Sequence, residues 1–109
     1  MKNNDEWYTP AEIIHSLGTF DLDPATSLDA YNLNRSAKKI YTAKDNGLVH
    51  EWEGRVWLNP PYSNLLIQQF LIKMAEHNNG IALVFAKIEA KWFHDIVLKH
   101  ATAIKFLYN

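Results

Sequence analysis

"RVWLNPPYSNLLIQQFLIKMAEHNNGIALVFA", residues 55–86, is the stretch of sequence that decides the fold. Residues 55–59 form a short apolar run that is typical of a strand and ends at two prolines. Residues 63–80 follow with apolar side chains at intervals of four, the clearest helical pattern in the chain. Residues 81–86 are unbroken apolar sequence, which is typical of a strand buried on both faces of a parallel sheet.

The same alternation of strands and helices extends to both sides of this stretch. Further strands are predicted at 19–23, 39–43 and 103–108. Further helices are predicted at 11–18, 27–39 and 90–100. Strands that alternate with helices predict an α/β fold with a mostly parallel sheet, and the length predicts a single domain over residues 1–109.

The first helix carries explicit start and stop signals. Thr9 is placed to act as the N-cap, and Glu12 follows it at the spacing of a capping box. Pro10 would occupy the first helical position, where a missing N–H costs nothing. Gly18 predicts the end of the helix.

Composition narrows the class of protein. A hydrophobic fraction of 48% and a net charge of −1 indicate a globular chain without the overall basic charge of many nucleic-acid binders. The absence of cysteine excludes disulfides and, together with the lack of a signal peptide or transmembrane run, predicts a cytoplasmic protein that does not enter the membrane. The five histidines show no metal-binding spacing, so no metal site is predicted.

Two polar segments, "FDLDPA" at 20–25 and "WLNPPYS" at 57–63, follow predicted strands. In open α/β sheets, ligands bind outside the carboxyl ends of the strands. We therefore expect both segments to lie on one edge of the sheet and to share a site.

The tetrapeptide "NPPY" suits a planar ring that bears an exocyclic amino group. The amide oxygen of Asn59 and the carbonyl of Pro60 can accept the two amino hydrogens, while Pro61 stiffens the turn and Tyr62 stacks on the ring. The alternative is a proline stop after a strand, with Tyr62 packed on the next helix. The order of the residues, at a strand end and before a helix, favours function.

These segments resemble a family. "NPPY" is similar to the catalytic tetrapeptide of amino-group DNA methyltransferases, and the chain resembles the phage-type DNA N-6-adenine methyltransferases over nearly its whole length. The segments that carry the resemblance are "DEWYTP" (5–10), "FDLDPA" (20–25), "DNGL" (45–48), "NPPYS" (59–63) and "AKWFHDIV" (90–97). The resemblance implies a minimal Rossmann-like methyltransferase sheet and adenine-N6 methylation of DNA.

The resemblance also implies S-adenosylmethionine as the methyl donor. The residues that it assigns to the donor pocket are Trp7, Thr9, Pro10, Asp23, Pro24 and Asp45. For Trp7 the alternative is packing in the core, and for Asp23 and Asp45 it is turn or cap chemistry. The loop after the first strand lacks the glycines usual in such enzymes, which leaves the division of roles between Asp21 and Asp23 open.

The acceptor implied by the resemblance is double-stranded DNA. Ser63, next to the tetrapeptide, and the basic residues Lys38 and Lys39 are the predicted contacts with DNA. The alternative for the two lysines is a solvated helix face. The sequence does not indicate an oligomeric state.

Members of the family that the chain resembles continue through further strands and a basic segment beyond the point that corresponds to residue 109, so one expectation from the resemblance is a domain truncated at its C-terminus. Three other functions stay open. They are an inactive remnant that acts as a binding module, a methyltransferase for another planar amino group such as an RNA base or a glutamine, and a small interaction domain.

Overall fold

The computed structural model describes residues 8–107. Its four strands are β1 (Leu22–Asp23), β2 (Lys39–Ile40), β3 (Val56–Leu58) and β4 (Gly80–Ala82). Its α-helices are α1 (Ala11–Ser16), α2 (Leu28–Asn34) and α3 (Asn64–His77). A 3₁₀ turn spans Gly47–Val49, and a helix at 91–100 is π-helical over Phe93–Leu98.

The strands form one parallel sheet in the order β2-β1-β3-β4. The chain therefore builds outward from β1 to β2 on one side and from β3 to β4 on the other. This arrangement is an α/β sheet consistent with a Rossmann-like methyltransferase core, as the sequence predicts. The reversal between β1 and β3 makes their carboxyl ends a topological switch point, where ligands bind in sheets of this kind.

The central strand β3 is buried on both faces. Val56 and Leu58 point to a core shared with α3 and the helix at 91–100, whereas Trp57 points to a second core with Ile14 and Phe20. Burial on both faces explains why this strand is a continuous apolar run, and why the tetrapeptide that follows it starts from a rigid base.

The predicted start of α1 is wrong in one respect. Pro10, and not Thr9, is the N-cap residue, and no side chain caps the helix. Thr9 is buried, and its hydroxyl contacts Asn59 in place of the helix start. The predicted end is confirmed, since the helix stops at Ser16 and Gly18 has a φ of 103°.

The predicted strand at 81–86 is too long, and its burial is wrong. Strand β4 covers Gly80–Ala82 only, and its residues are exposed or half-buried. Within the described residues β3 is its one neighbour, so β4 forms an edge of the sheet. Edge strands lack the second neighbour that would bury a fully apolar run.

The predicted strand at 103–108 is also wrong for the part that the structure describes. Residues 101–107 are exposed and form no strand. A strand needs the backbone groups of a neighbour, and this segment pairs with none of the four strands despite its apolar composition. Between residues 8 and 107, no helix combines the length and the apolar character that crossing a membrane requires.

Candidate active site at the switch point

The site is formed by the segments that follow β1 and β3, as predicted from the sequence. Strands β1 and β3 are adjacent, with Leu22 paired to Val56. Asp23, the last residue of β1, and Asn59, the first residue after β3, therefore lie at the same edge of the sheet. The loop after β2 is hydrogen-bonded to the segment after β1. The Tyr41 N–H donates to the Asp23 carbonyl at 2.9 Å, and the Thr26 N–H donates to the Tyr41 carbonyl at 3.1 Å.

Asn59 is half-buried and is linked to the segment before α1. Its Nδ2 donates to Oγ1 of Thr9 at 3.2 Å, across fifty positions of sequence. The backbone carbonyl of Thr9 in turn accepts a hydrogen bond of 3.0 Å from Nδ2 of Asn34, at the end of α2. The start of the chain, α2 and the end of β3 are thus joined at the first residue of the tetrapeptide.

The rest of the tetrapeptide is held equally firmly. Pro60 is fully buried and Pro61 half-buried. The Tyr62 hydroxyl accepts a hydrogen bond of 2.8 Å from the Phe85 N–H, and the two rings stack with centroids 4.9 Å apart. Burial raises the pKa of Tyr62 to about 12, partly opposed by the bond from Phe85, so the hydroxyl stays protonated at neutral pH.

Asp23 is a buried carboxyl group at the end of β1, with 3% of its surface exposed. Its Oδ2 accepts from the Ser36 hydroxyl, and its Oδ1 accepts from the Ala25 N–H at 3.2 Å. Burial raises the pKa of Asp23 to about 6, although both hydrogen bonds favour the charged form. Asp23 therefore shapes the loop after β1 and presents little surface to a ligand.

Asp45 has the opposite character, since it is exposed. Its Oδ2 accepts from the backbone N–H of Thr42 at 2.9 Å and from the Thr42 hydroxyl at 3.1 Å, and the backbone bond is the main reason that the pKa of Asp45 is lowered. The turn reaches the loop after β1 through Gly47, where a Cβ atom would stand 2.0 Å from the Pro24 carbonyl oxygen. Asp45 thus lies in a turn docked against the site, and its predicted role in donor binding stays a prediction.

The other predicted site residues are distributed unevenly. Ser63 is exposed at the N-cap of α3, directly after Tyr62, and Pro10 is exposed next to Thr9. Trp7 lies outside the described residues. Lys39 and Val56 are both paired with Leu22, so they lie at the same level of the sheet. Asn59 lies three residues beyond Val56, which places Lys39 about 10 Å from it along the strand direction.

The two lysines are therefore not brought to the edge that carries the tetrapeptide. Lys38 lies one residue earlier still, with its Nζ 3.9 Å from Oδ1 of Asp21. Lys39 instead borders a groove of about 610 Å³ beside β1 and β2, which is lined also by Tyr41, His50 and Glu53. In residues 8–107 no group of three or more His, Asp or Glu side chains is arranged to hold a metal ion.

Three residues of the site are absent from the sequence predictions: Asn34, Ser36 and Phe85. Asn34 and Ser36 lie in a predicted helix with no pattern that marks them as buried. Phe85 could have been found, because it follows β4 and the carboxyl end of a neighbouring strand belongs to the same edge.

Comparison with known proteins places these features in a family. The family profile described as DNA N-6-adenine-methyltransferase (Dam) matches residues 1–109. A DNA N-6-adenine-methyltransferase of Escherichia phage T1 is 37% identical over 98 residues, which cover 82% of this chain and 39% of that protein. A protein of the same name from Haemophilus phage HP1 is 30% identical over 116 aligned positions, which cover 98% of this chain and 64% of the relative.

The chain thus spans 39% and 64% of the lengths of these two relatives. No solved structure matches it.

Proposed function

Because this chain belongs to the DNA N-6-adenine-methyltransferase family, we propose that it transfers a methyl group to the N6 amino group of adenine in DNA. The observation that carries the proposal is the position of residues 59–62. They follow β3 at the switch point of a parallel sheet, with the Asn59 amide bonded to Thr9 and the Tyr62 ring held against Phe85. We further propose that residues 1–109 act as one domain.

In this proposal the base is bound by its amino group and by its ring. The Asn59 side-chain oxygen accepts one amino hydrogen and Tyr62 stacks on the ring. The second amino hydrogen is assigned to the Pro60 carbonyl, and because Pro60 is fully buried this contact requires the turn to shift when the base binds. The acceptor is double-stranded DNA in the cytoplasm of a bacterial host, from which the adenine is flipped at a cost of a few kcal/mol for unstacking. The stacking of Tyr62 on Phe85 holds the ring before the base arrives.

The proposed methyl donor is S-adenosylmethionine, which supplies a methyl group bonded to positively charged sulfur. The residues present fit such a ligand in part. Pro10 is exposed next to Thr9, and Asp45 is exposed in the loop after β2. Oδ1 of Asp45 makes no hydrogen bond within the described residues, so it can accept one from the donor. Asp23 and Pro24 are buried and act by shaping the floor of the pocket.

The chemical step requires mainly positioning. Asn59 and the Pro60 carbonyl would hold the amino nitrogen toward the methyl group of the donor. As the new N–C bond forms, the sulfur–methyl bond would break, and the sulfur would leave as a neutral thioether. Their hydrogen bonds strengthen as positive charge develops on the nitrogen, and the surplus proton leaves afterwards to solvent. The proposal needs no strong base, in agreement with a Tyr62 hydroxyl that stays protonated.

Contacts with the DNA backbone are proposed at the start of α3. Ser63 is exposed there and adjoins the tetrapeptide, so it can donate to a phosphate beside the flipped nucleotide. Lys38 and Lys39 would meet DNA only where the duplex extends past the edge of the sheet toward the start of β2.

The test is methyl transfer from labelled S-adenosylmethionine to DNA, RNA and protein acceptors in parallel. We expect label in the adenine of DNA, and we expect Asn59→Ala to lower the rate by at least about 100-fold. Asn32→Ala, at an exposed position of α2, is the matched control and should keep the native rate.

Each other outcome would contradict the proposal in a distinct way. Label in RNA or in a glutamine side chain would assign a different acceptor to the same chemistry. Donor binding without label in any acceptor would indicate a binding module. An Asn59→Ala chain with the native rate would remove the tetrapeptide from catalysis.

A further inference from the structure

Thr9 is a buried connector between three elements of the site. It is 2% exposed, its side chain contacts Asn59 after β3, and its backbone contacts Asn34 at the end of α2. The sequence pattern indicates a helix cap at this position, but the structure shows the hydroxyl turned to the tetrapeptide. Because the Thr9 side chain bonds Asn59 and does not cap the helix, it can affect the orientation of the Asn59 amide.

The two ends of an asparagine amide differ in chemistry and hardly at all in shape. One end donates two hydrogens and the other accepts, and rotation by half a turn exchanges them. An amino group that must donate its hydrogens meets an acceptor in one orientation and a second donor in the other. Something in the protein has to select the orientation.

The contact between Asn59 and Thr9 is made in one of these two orientations; because a hydroxyl can donate as well as accept, it favours this orientation while Oγ1 of Thr9 is the acceptor. The Nδ2 group of Asn59 donates to Oγ1 of Thr9 at 3.2 Å, so the donor end of the amide is held toward α1. The carbonyl oxygen is bonded to the same planar carbon atom and therefore points away from Thr9, in a different direction. The nitrogen end and the oxygen end of the amide then have different surroundings.

Asn34 holds Thr9 in place. Its Nδ2 donates to the Thr9 carbonyl at 3.0 Å, and the residue is only 5% exposed. Its Oδ1 is buried without a hydrogen-bond partner in the described part of the chain. A buried acceptor left unpaired is destabilising, so this position of Asn34 is not explained by its own hydrogen bonds alone.

We propose that Thr9 and Asn34 are positioning residues, which hold the Asn59 amide with its oxygen toward the amino group of the substrate. The proposal rests on the proposed function for its chemistry, since it names the residues that orient the catalytic one. It assigns Thr9 a role through Asn59, in place of direct contact with the methyl donor.

The experiment compares Thr9→Val with Thr9→Ser in the full chain. Valine keeps the shape of threonine and removes the acceptor, whereas serine keeps the hydroxyl and removes a methyl group. We expect Thr9→Val to lower the single-turnover rate of methyl transfer to adenine-containing DNA by about 10- to 100-fold. The Kd for S-adenosylmethionine should stay within about twofold, and Thr9→Ser should recover most of the lost rate. Asn34→Ala should lower the rate in the same manner.

A second readout does not depend on activity. The side-chain amide protons of Asn59 are assigned by their loss in Asn59→Ala, and we expect a nuclear Overhauser contact between them and the Thr9 side chain. The contact should persist in Thr9→Ser, and in Thr9→Val the proton that faced the hydroxyl should move upfield as its hydrogen bond is lost.

The outcomes separate this inference from the proposed function. Absence of the amide contact in the native chain, equal loss of rate in both Thr9 variants, or a loss of donor affinity as large as the loss of rate would each overturn the positioning role. If the native chain shows the expected amide contact but methylates no acceptor, the proposed function is overturned, whereas the orientation of Asn59 is supported.

Discussion

Two regions of the molecule reverse the usual rule of burial. In the polar cluster, which we define as Thr9, Asp23, Asn34, Ser36 and Asn59, four of the five side chains are buried and every one forms a hydrogen bond. In the C-terminal segment, residues 101–107, large apolar side chains are exposed. Buried polar groups cost free energy unless their bonds are made, so the polar cluster is fixed in geometry, and the C-terminal segment is not fixed in this way.

The largest difference in the effect of a mutation on stability is expected between the core that contains Leu58 and the C-terminal segment. Leu58 is 0% exposed and Ile104 is 43% exposed. Leu58→Ala should lower the free energy of unfolding by about 2–5 kcal/mol, because it leaves a cavity. Ile104→Ala should change it by no more than about 0.5 kcal/mol. Urea unfolding followed by tryptophan fluorescence measures both, and losses of equal size would remove the contrast.

A smaller cavity keeps this comparison possible if Leu58→Ala does not fold. Ile67→Val, at a side chain with 1% exposure in the same core, should cost about 1 kcal/mol. A cost indistinguishable from that of Ile104→Ala would argue against the core that packs on α3.

The next effect concerns the pH dependence of the polar cluster. The pKa of Asp23 is about 6 in the folded chain and 3.8 for the unperturbed group, so the native state favours the protonated form. Its contribution to stability is therefore complete below pH 3.8 and is lost as the pH rises through 6. Relative to Asp23→Asn, the native chain should lose about 2 kcal/mol between pH 4 and pH 7.

Unfolding free energies of the two chains at several pH values test this prediction, and a native chain that gains stability relative to Asp23→Asn as the pH rises would have the wrong sign. Ser36→Ala sharpens the test. The bond from Ser36 lowers the pKa of Asp23, so its removal should shift the loss of stability to higher pH.

A moderate effect is expected at Gly47, where the turn that contains Asp45 packs against Pro24, the residue after Asp23. A Cβ atom at Gly47 would stand 2.0 Å from the Pro24 carbonyl oxygen, which is backbone and cannot rotate away. Gly47→Ala should lower the free energy of unfolding by about 1–3 kcal/mol and weaken donor binding. Lys44→Ala, exposed in the same loop, is the control, and thermal unfolding with calorimetric titration measures both properties. A Gly47→Ala chain with native stability would show that the two loops are not in contact.

Comparable or smaller effects are expected at Tyr62, whose ring stacks on Phe85. Tyr62→Ala should weaken binding of adenine-containing DNA by about 1–3 kcal/mol, because the stacking surface is lost, and should leave donor binding nearly unchanged. Tyr62→Phe keeps the ring and removes the acceptor of the Phe85 N–H, at a cost of about 0.5–1.5 kcal/mol in stability. Equal weakening of DNA and donor binding would count against stacking.

The sequence predicts the fold class because it carries the alternation of strands and helices directly. The prolines after β3, Gly18 after α1 and the periodicity of α3 are local signals, and the structure confirms each of them. The parallel arrangement and the shared edge of β1 and β3 follow from that alternation. The resemblance carried by "NPPYS" gives the family.

The remaining features depend on contacts that no local pattern records. Thr9 has a good cap pattern, but a partner fifty residues away competes for its hydroxyl and prevails. Asn34 and Ser36 look like the surface of a helix, and only the packing of α2 buries them. The segment 103–107 has strand composition without a strand partner, because composition sets a preference and pairing requires a neighbour.

The order of the strands has a mechanical consequence. Strands β1 and β2 with α2 form one half of the sheet, and β3 and β4 with α3 form the other. The halves join at a narrow seam, where Leu22 and Val56 form the one registered pair between β1 and β3 in the described chain. Asp23 and Asn59 stand on opposite sides of that seam, so a ligand bound to both sides would act as a clamp. We expect its binding to resist shear between the halves and to slow hydrogen exchange of the amides of Asp21 and Leu22, which donate to the Arg55 carbonyl across the seam.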